Sequence, residues 1–137
     1  MAFREGSRRR SEVRTLLRRW GLARNMCREQ AQRLREFKEL TEQAKEIPAL
    51  CEGAVDYFQR RCAAEFAFGR RMTEFIAALP PRLQTILWMR YSGNCSYLRI
   101  ALRMNLSADH VKRLERDAVD RLLAMPGFAE LLGGARG

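Results

Sequence analysis

Apolar and small residues recur at Leu16, Trp20, Ala23, Cys27, Leu34, Phe37, Leu40, Ala44 and Ile47, with Gln30 at the remaining step. Alternating steps of three and four keep one side of an α-helix apolar and are the spacing of a coiled-coil seam. Ser11 stands where it can cap that helix, Glu12 suits the positive end of the helix dipole, and no proline intervenes before Pro48. The pattern predicts one helix of about 55 Å at 1.5 Å per residue. After a break at Ile47-Pro48 and Gly53, a second stripe runs through Val55, Phe58, Cys62, Phe66, Gly69, Met72, Ile76 and Leu79 and stops at Pro80-Pro81. A short connection between long helices favours antiparallel packing, so residues 11–79 are expected to form a helical hairpin with the two stripes face to face. The same seam offers a surface for a homodimer. Cys27 and Cys62 fall on the stripes and are assigned to packing, while Gly21 and Gly69 mark a bend or a close crossing.

From Pro80 onward the chain divides at its turn residues into three short helices. Leu83, Ile86, Leu87 and Tyr91 give the first an inward face. Ser92-Gly93-Asn94 supplies a turn, and Ser96 can cap a short helix over about Tyr97 to Met104. Leu87, Trp88 and Met89 are consecutive and cannot all face one core, so one of them is expected at the surface. A helix-turn-helix needs a small residue where its helices cross, a residue tolerant of positive φ at the turn, and inward apolar residues on both sides. Ala101, Asn105, and the set Met104, Leu106, Val111 and Leu114 meet these requirements, with Ser107 as cap of the last helix and Asp109 in its first turn. No segment alternates with period two, so the expected fold class is all-α: a long N-terminal helical hairpin followed by a three-helix helix-turn-helix module. The boundaries are a basic arm at 1–10, the hairpin at 11–79, the module at 80–124 and a tail at 125–137, from which Phe128, Leu131 and Leu132 are expected to dock back on the core.

Charge narrows the partners. The 137 residues carry 26 Lys and Arg against 16 Asp and Glu, a formal net charge of +10 that favours a polyanion. Residues 1–35 hold 11 Arg against Glu5, Glu12 and Glu29, and the C-terminal part is basic again. Cys27, Cys51, Cys62 and Cys95 form no CxxC pair, and the single histidine, His110, completes no zinc set with them. No metal or cofactor is expected, and no catalytic constellation is marked out: there is no Gly-rich phosphate loop and no Ser/His/Asp arrangement. No apolar run approaches the roughly 18 residues of a membrane span, and the basic start lacks the apolar run of a secretory signal, so the expectation is a cytoplasmic protein with no membrane partner and reduced thiols.

Leu79-Pro80, Arg90-Tyr91, Gly93, Ser96-Tyr97, Ile100-Ala101 and Ser107 together form a pattern by which the module resembles region 4 of bacterial sigma factors. Asn105 stands at the turn where that family usually has Gly, and no counterpart of sigma region 2, which melts promoter DNA, is found. The resemblance therefore implies a stand-alone regulator instead of a complete sigma factor. A helical N-terminal half joined to such a module is also similar to small phage and mobile-element regulators of the ArpU type.

With the last helix in the major groove of double-stranded DNA, its exposed face presents Ala108, Asp109, Lys112, Arg113 and Arg116 beyond Ser107. Lys112 and Arg113 are the candidates for base edges, and Arg116, Arg99 and Arg103 for phosphates. The local alternatives are an Arg116–Asp120 pair at i+4 and a merely solvated Arg99. His110 is taken as an ordinary surface residue. Sequence-specific duplex binding for transcriptional control is the leading reading. The alternative is a protein adapter that docks RNA polymerase or another partner through the hairpin and module.

Overall fold

The computed structural model describes residues 2–44 and 49–134, and within them the side chains of 6–25 and 63–132 together with scattered exposed positions between 28 and 60. Among these residues the chain is helical without a strand: α1 (Ala2–Ala44), α2 (Ala49–Ala77), α3 (Pro81–Leu87), a π-helical turn (Trp88–Ser92), α4 (Tyr97–Met104), α5 (Ala108–Ala124) and α6 (Phe128–Gly134). α1 begins at Ala2, ahead of the expected cap at Ser11, which lies inside the helix, its carbonyl accepting from the Thr15 hydroxyl. Arginine is a good helix former, and Arg10 is held by Asp120 on α5, so the basic stretch from Ala2 continues the helix. The predicted break at Ile47-Pro48 lies outside the described residues, as do the side chains of Cys27, Gln30, Leu34, Phe37, Leu40, Ala44, Val55, Phe58 and Cys62. Gly53 lies within α2.

α1 and α2 pack on each other where their side chains are described. Trp20 Nε1 donates to Thr73 Oγ1 at 3.1 Å and Arg19 pairs with Glu65 at 3.0 Å. Hairpin and module are not separate bodies, because one core joins them: Val13, Leu16, Leu17 and Trp20 of α1, Met72 and Ile76 of α2, Leu79, Leu83 and Leu87 leading through α3, Ala118, Val119 and Leu122 of α5, and Phe128. Val13 and Leu17 widen the apolar stripe of α1 beyond the seam, since that helix is covered by α2 on one side and by α5 and the π turn on the other. Edge-to-face pairs Trp20–Trp88 (4.7 Å between centroids) and Phe75–Phe128 (5.3 Å) join the layers, each worth about 1 kcal/mol beyond its buried area.

Phe66, expected on the seam, is 61% exposed. Its two steps of three to Gly69 and Met72 each fall short of a 3.6-residue turn by about 60°, which carries Phe66 about 120° from Met72. Phe68 packs instead, with the Arg19 guanidinium 4.0 Å from its ring centroid. Gly21 is the close crossing, lying directly against the Tyr91 carbonyl of the π turn, whereas a Cβ on Gly69 would meet nothing within 4 Å. The tail docks back as expected, with Phe128 buried, Leu131 and Leu132 packed on the core, and Arg71 paired to Glu130 at 2.9 Å. No helix among the described residues is long and apolar enough to cross a membrane.

Candidate nucleic-acid interface

Three consecutive apolar residues are accommodated by the π turn. The Gly93 N–H donates to the Trp88 carbonyl five residues back at 2.9 Å, adding a residue to that turn of helix. Leu87 and Trp88 thereby stay with the main core, while Met89 turns to a second one made of Ile86, Cys95, Ile100, Ala101 and Val111. Trp88 is thus packed, sandwiched between Trp20 and the Arg24 guanidinium, 4.0 Å from its ring. After the turn, Asn94 and not Gly93 takes the left-handed conformation, at φ 52°.

The second core holds α4 against α5 as a helix-turn-helix requires. Ser96 Oγ accepts from the Arg99 N–H and Ser107 Oγ from the His110 N–H, both at 3.1 Å, so each helix starts at its predicted cap, worth about 1 kcal/mol apiece. Asn105 closes α4 in the left-handed conformation (φ 58°, ψ 48°), and the Leu106 N–H reaches back to the Ala101 carbonyl at 2.9 Å. Ala101 is buried at the crossing, and Met104, Leu106 and Leu114 pack around it.

α5 separates its faces cleanly. Val111, Glu115, Ala118, Val119 and Leu122 are buried. Asp109, Lys112, Arg113 and Arg116 are exposed, with Ser107 exposed at the cap, whereas Ala108 is half-buried against the second core. Arg99 and Arg103 are exposed on α4, one helical turn apart. Asp120 is taken by Arg10, whose Nε and Nη2 donate to its two oxygens at 2.8 and 3.2 Å, so the local Arg116–Asp120 pair does not form. That hydrogen bond, with the attraction of Asp120, raises the Arg10 pKa. Lys112, Arg113 and Arg116 make no ion pair among the described residues, and the exposed Asp117, one turn beyond Arg113, pairs with Arg121 at 3.2 Å.

Two groupings were not singled out by sequence pattern. Tyr97 at the start of α4 carries the Arg90 guanidinium at 4.2 Å and the Lys112 ammonium at 5.7 Å from its ring, joining the π turn, α4 and α5 along one cationic edge. Arg90 also donates to the Cys95 carbonyl at 3.1 Å, which fixes its stem. On the covered face of α5, the buried Glu115 accepts two hydrogen bonds from Arg14 and one from the Tyr91 hydroxyl. No local spacing announces either grouping, because the partners are up to 101 residues apart.

Residues 75–123 match the family model for sigma-70, region 4, from the end of α2 to near the end of α5. No curated protein and no solved structure matches the chain. The matched segment is a sigma region 4-like helix-turn-helix, a DNA-binding module of transcriptional regulation.

Proposed function

We propose that this protein binds a specific sequence in double-stranded DNA and regulates transcription as a stand-alone factor, in the manner of the small phage and mobile-element regulators it resembles. The observation that carries this reading is the α5 surface: its buried residues are spent on the two cores, leaving Lys112, Arg113 and Arg116 outward beside the capped N-terminus. Lys112 and Arg113 read base edges, where Arg presents two donors to guanine. Arg116, Arg99, Arg103 and Arg90 hold phosphates on either side. Selection from a random duplex library tests this, with wild-type protein and the Lys112→Ala/Arg113→Ala variant run in parallel at two salt concentrations. An enriched motif that the variant loses is the expected result. Binding without any motif would overturn sequence-specific recognition.

A second reading is favoured by one observation. Leu98 and Leu102, one turn apart on α4, are 64% and 76% exposed beside Arg99 and Arg103. An apolar pair ringed by cations suits a protein partner with an apolar, acidic surface, such as a subunit of RNA polymerase. Loss of a partner by Leu98→Ser/Leu102→Ser, with that partner retained by Lys112→Ala/Arg113→Ala, is the result this adapter reading requires.

A further inference from the structure

We infer that Arg24 and Arg28 on α1 form a second phosphate-binding surface, which grips the DNA backbone flanking the segment read by α5. This rests on the duplex-binding reading above.

The direction of α1 is fixed by its contacts. Arg10 lies beside Asp120 and Arg14 beside Glu115, so residue numbers rise along α1 as they fall along α5. α1 therefore heads toward the N-terminus of the recognition helix, the end presented to the groove. From Arg14 to Arg28 α1 advances about 21 Å, whereas from Glu115 to Ala108 α5 recedes only about 10 Å. Even at a crossing angle of about 50°, the projection of that stretch of α1 is about 13 Å, which brings Arg28 level with or past the first turn of α5. On the way α1 passes the turn that leads into α4. Gly21 abuts the Tyr91 carbonyl, and Asn25 Nδ2 donates to the Ser92 carbonyl at 3.4 Å, four residues before the cap of α4.

The side chains at this point are cationic and uncompensated. Between Glu12 and Glu29 α1 carries Arg14, Arg18, Arg19, Arg24 and Arg28 with no acidic residue. Arg14 and Arg19 are consumed by Glu115 and Glu65. Arg24 and Arg28, at i and i+4, share the face of α1 that looks toward the module and are both exposed. Arg24 is flat against Trp88, which orders its guanidinium without neutralising it. Burial there, and then repulsion from Arg28, lower its pKa. Two like charges one helical turn apart, one of them ordered on Trp88, gain from an anion that bridges them, and the repeating phosphates of a duplex beside the module are such an anion.

The test measures affinity against salt for a duplex that extends beyond the α5 site and for one trimmed to it. Arg28→Ala is expected to make the log–log salt slope on the long duplex shallower by about one, and Arg24→Gln/Arg28→Ala by about two. On the trimmed duplex both variants should match wild type. Arg33→Ala, a cation about 140° around the same helix, is expected to leave the slope unchanged. A thermal melt of each variant reports folding, and the exposed Arg28→Ala needs no rescue. An unchanged slope for Arg28→Ala with wild-type protein still bound would overturn the inference while sparing the α5 reading. An equal effect on both duplexes would overturn the flanking assignment. A wild-type protein that binds no duplex would overturn both readings.

Discussion

Arg14 of α1 grips Glu115 of the recognition helix at two points, its Nε and Nη2 donating to the two carboxylate oxygens at 3.1 and 3.0 Å. Glu115 is 1% exposed, and the Tyr91 hydroxyl completes its coordination at 2.9 Å. The hydrogen bond to Glu115 is the largest influence on Arg14 and raises its pKa. Under the proposed reading of bases by α5, that helix must keep one rotation about its axis. A buried ion pair on the covered face of α5, about 60° around the helix from Lys112 and 160° from Arg113, ties that rotation to α1, because breaking it leaves a carboxylate without its partner.

Removing one partner should therefore be costly. Arg14→Met leaves the carboxylate uncompensated and is expected to lower stability by about 2 to 3 kcal/mol, below the roughly 3 to 5 kcal/mol of fully buried pairs because Arg14 is 30% exposed. Replacing the whole cluster, as Arg14→Met/Tyr91→Phe/Glu115→Met, should recover most of that loss, since no buried charge remains. Urea unfolding measures both. A loss below about 0.5 kcal/mol for Arg14→Met would mean that water already solvates Glu115.

Tyr91 makes the same cluster sensitive to alkali. Burial, the charge of Glu115 and the hydrogen bond to it all raise the phenol pKa above its ordinary 10.0, with Arg14 opposing. The folded protein thus holds a proton that the unfolded chain gives up first. The stabilisation by the phenol is complete below pH 10 and is lost as pH rises toward the folded value. The stability difference between wild type and Tyr91→Phe should be flat to about pH 9, then shift against wild type by up to about 1.4 kcal/mol per pH unit. Parallel curves through pH 11 would contradict the assignment.

Two glycines give opposite outcomes for the same substitution. A Cβ on Gly21 would clash with the Tyr91 carbonyl oxygen and its carbon, both backbone atoms that cannot rotate away. Gly21→Ala must push α1 off the π turn and is expected to cost about 3 kcal/mol. At Gly69, in α2, a Cβ meets nothing within 4 Å. Gly69→Ala should stabilise by about 0.5 to 1 kcal/mol through helix propensity alone. Thermal melts of the two variants check the contrast, and a neutral Gly21→Ala would show that the crossing is loose.

What was legible in the sequence follows the range of the interactions. Ser96, Ser107 and Asn105 act within a few residues of themselves, and their caps and left-handed turn stand where local chemistry put them. The packing of α1 on α2 through Leu16, Trp20, Met72 and Ile76 followed from apolar spacing. Phe66 failed because a stripe of threes and fours hides drift when two threes follow each other. The helical start at Ala2 and the hold on Asp120 depend on Arg10 meeting a residue 110 positions away, which no local pattern encodes. Trp88 was hard to place for a different reason. Ordinary helical phase forbids three adjacent residues one interior, and here they divide between two cores.

The turn from α4 to α5 passes through one residue in the left-handed region. Asn105 sits at φ 58° and ψ 48°, where a Cβ crowds the following carbonyl, and asparagine tolerates this better than most residues but less well than glycine. Asn105→Gly should leave stability unchanged or raise it slightly, while Asn105→Ala should cost about 1 kcal/mol. The two variants separate stability from recognition. Glycine keeps the Leu106 N–H on the Ala101 carbonyl and should keep DNA affinity, whereas strain at alanine can be relieved by opening that 2.9 Å bond and swinging α5 on Ala101. Alanine is therefore expected to weaken binding to the selected duplex even below its melting temperature, with glycine at wild-type affinity. If both variants bind as wild type does, the turn sets the stability of the module but not the pose of its recognition helix.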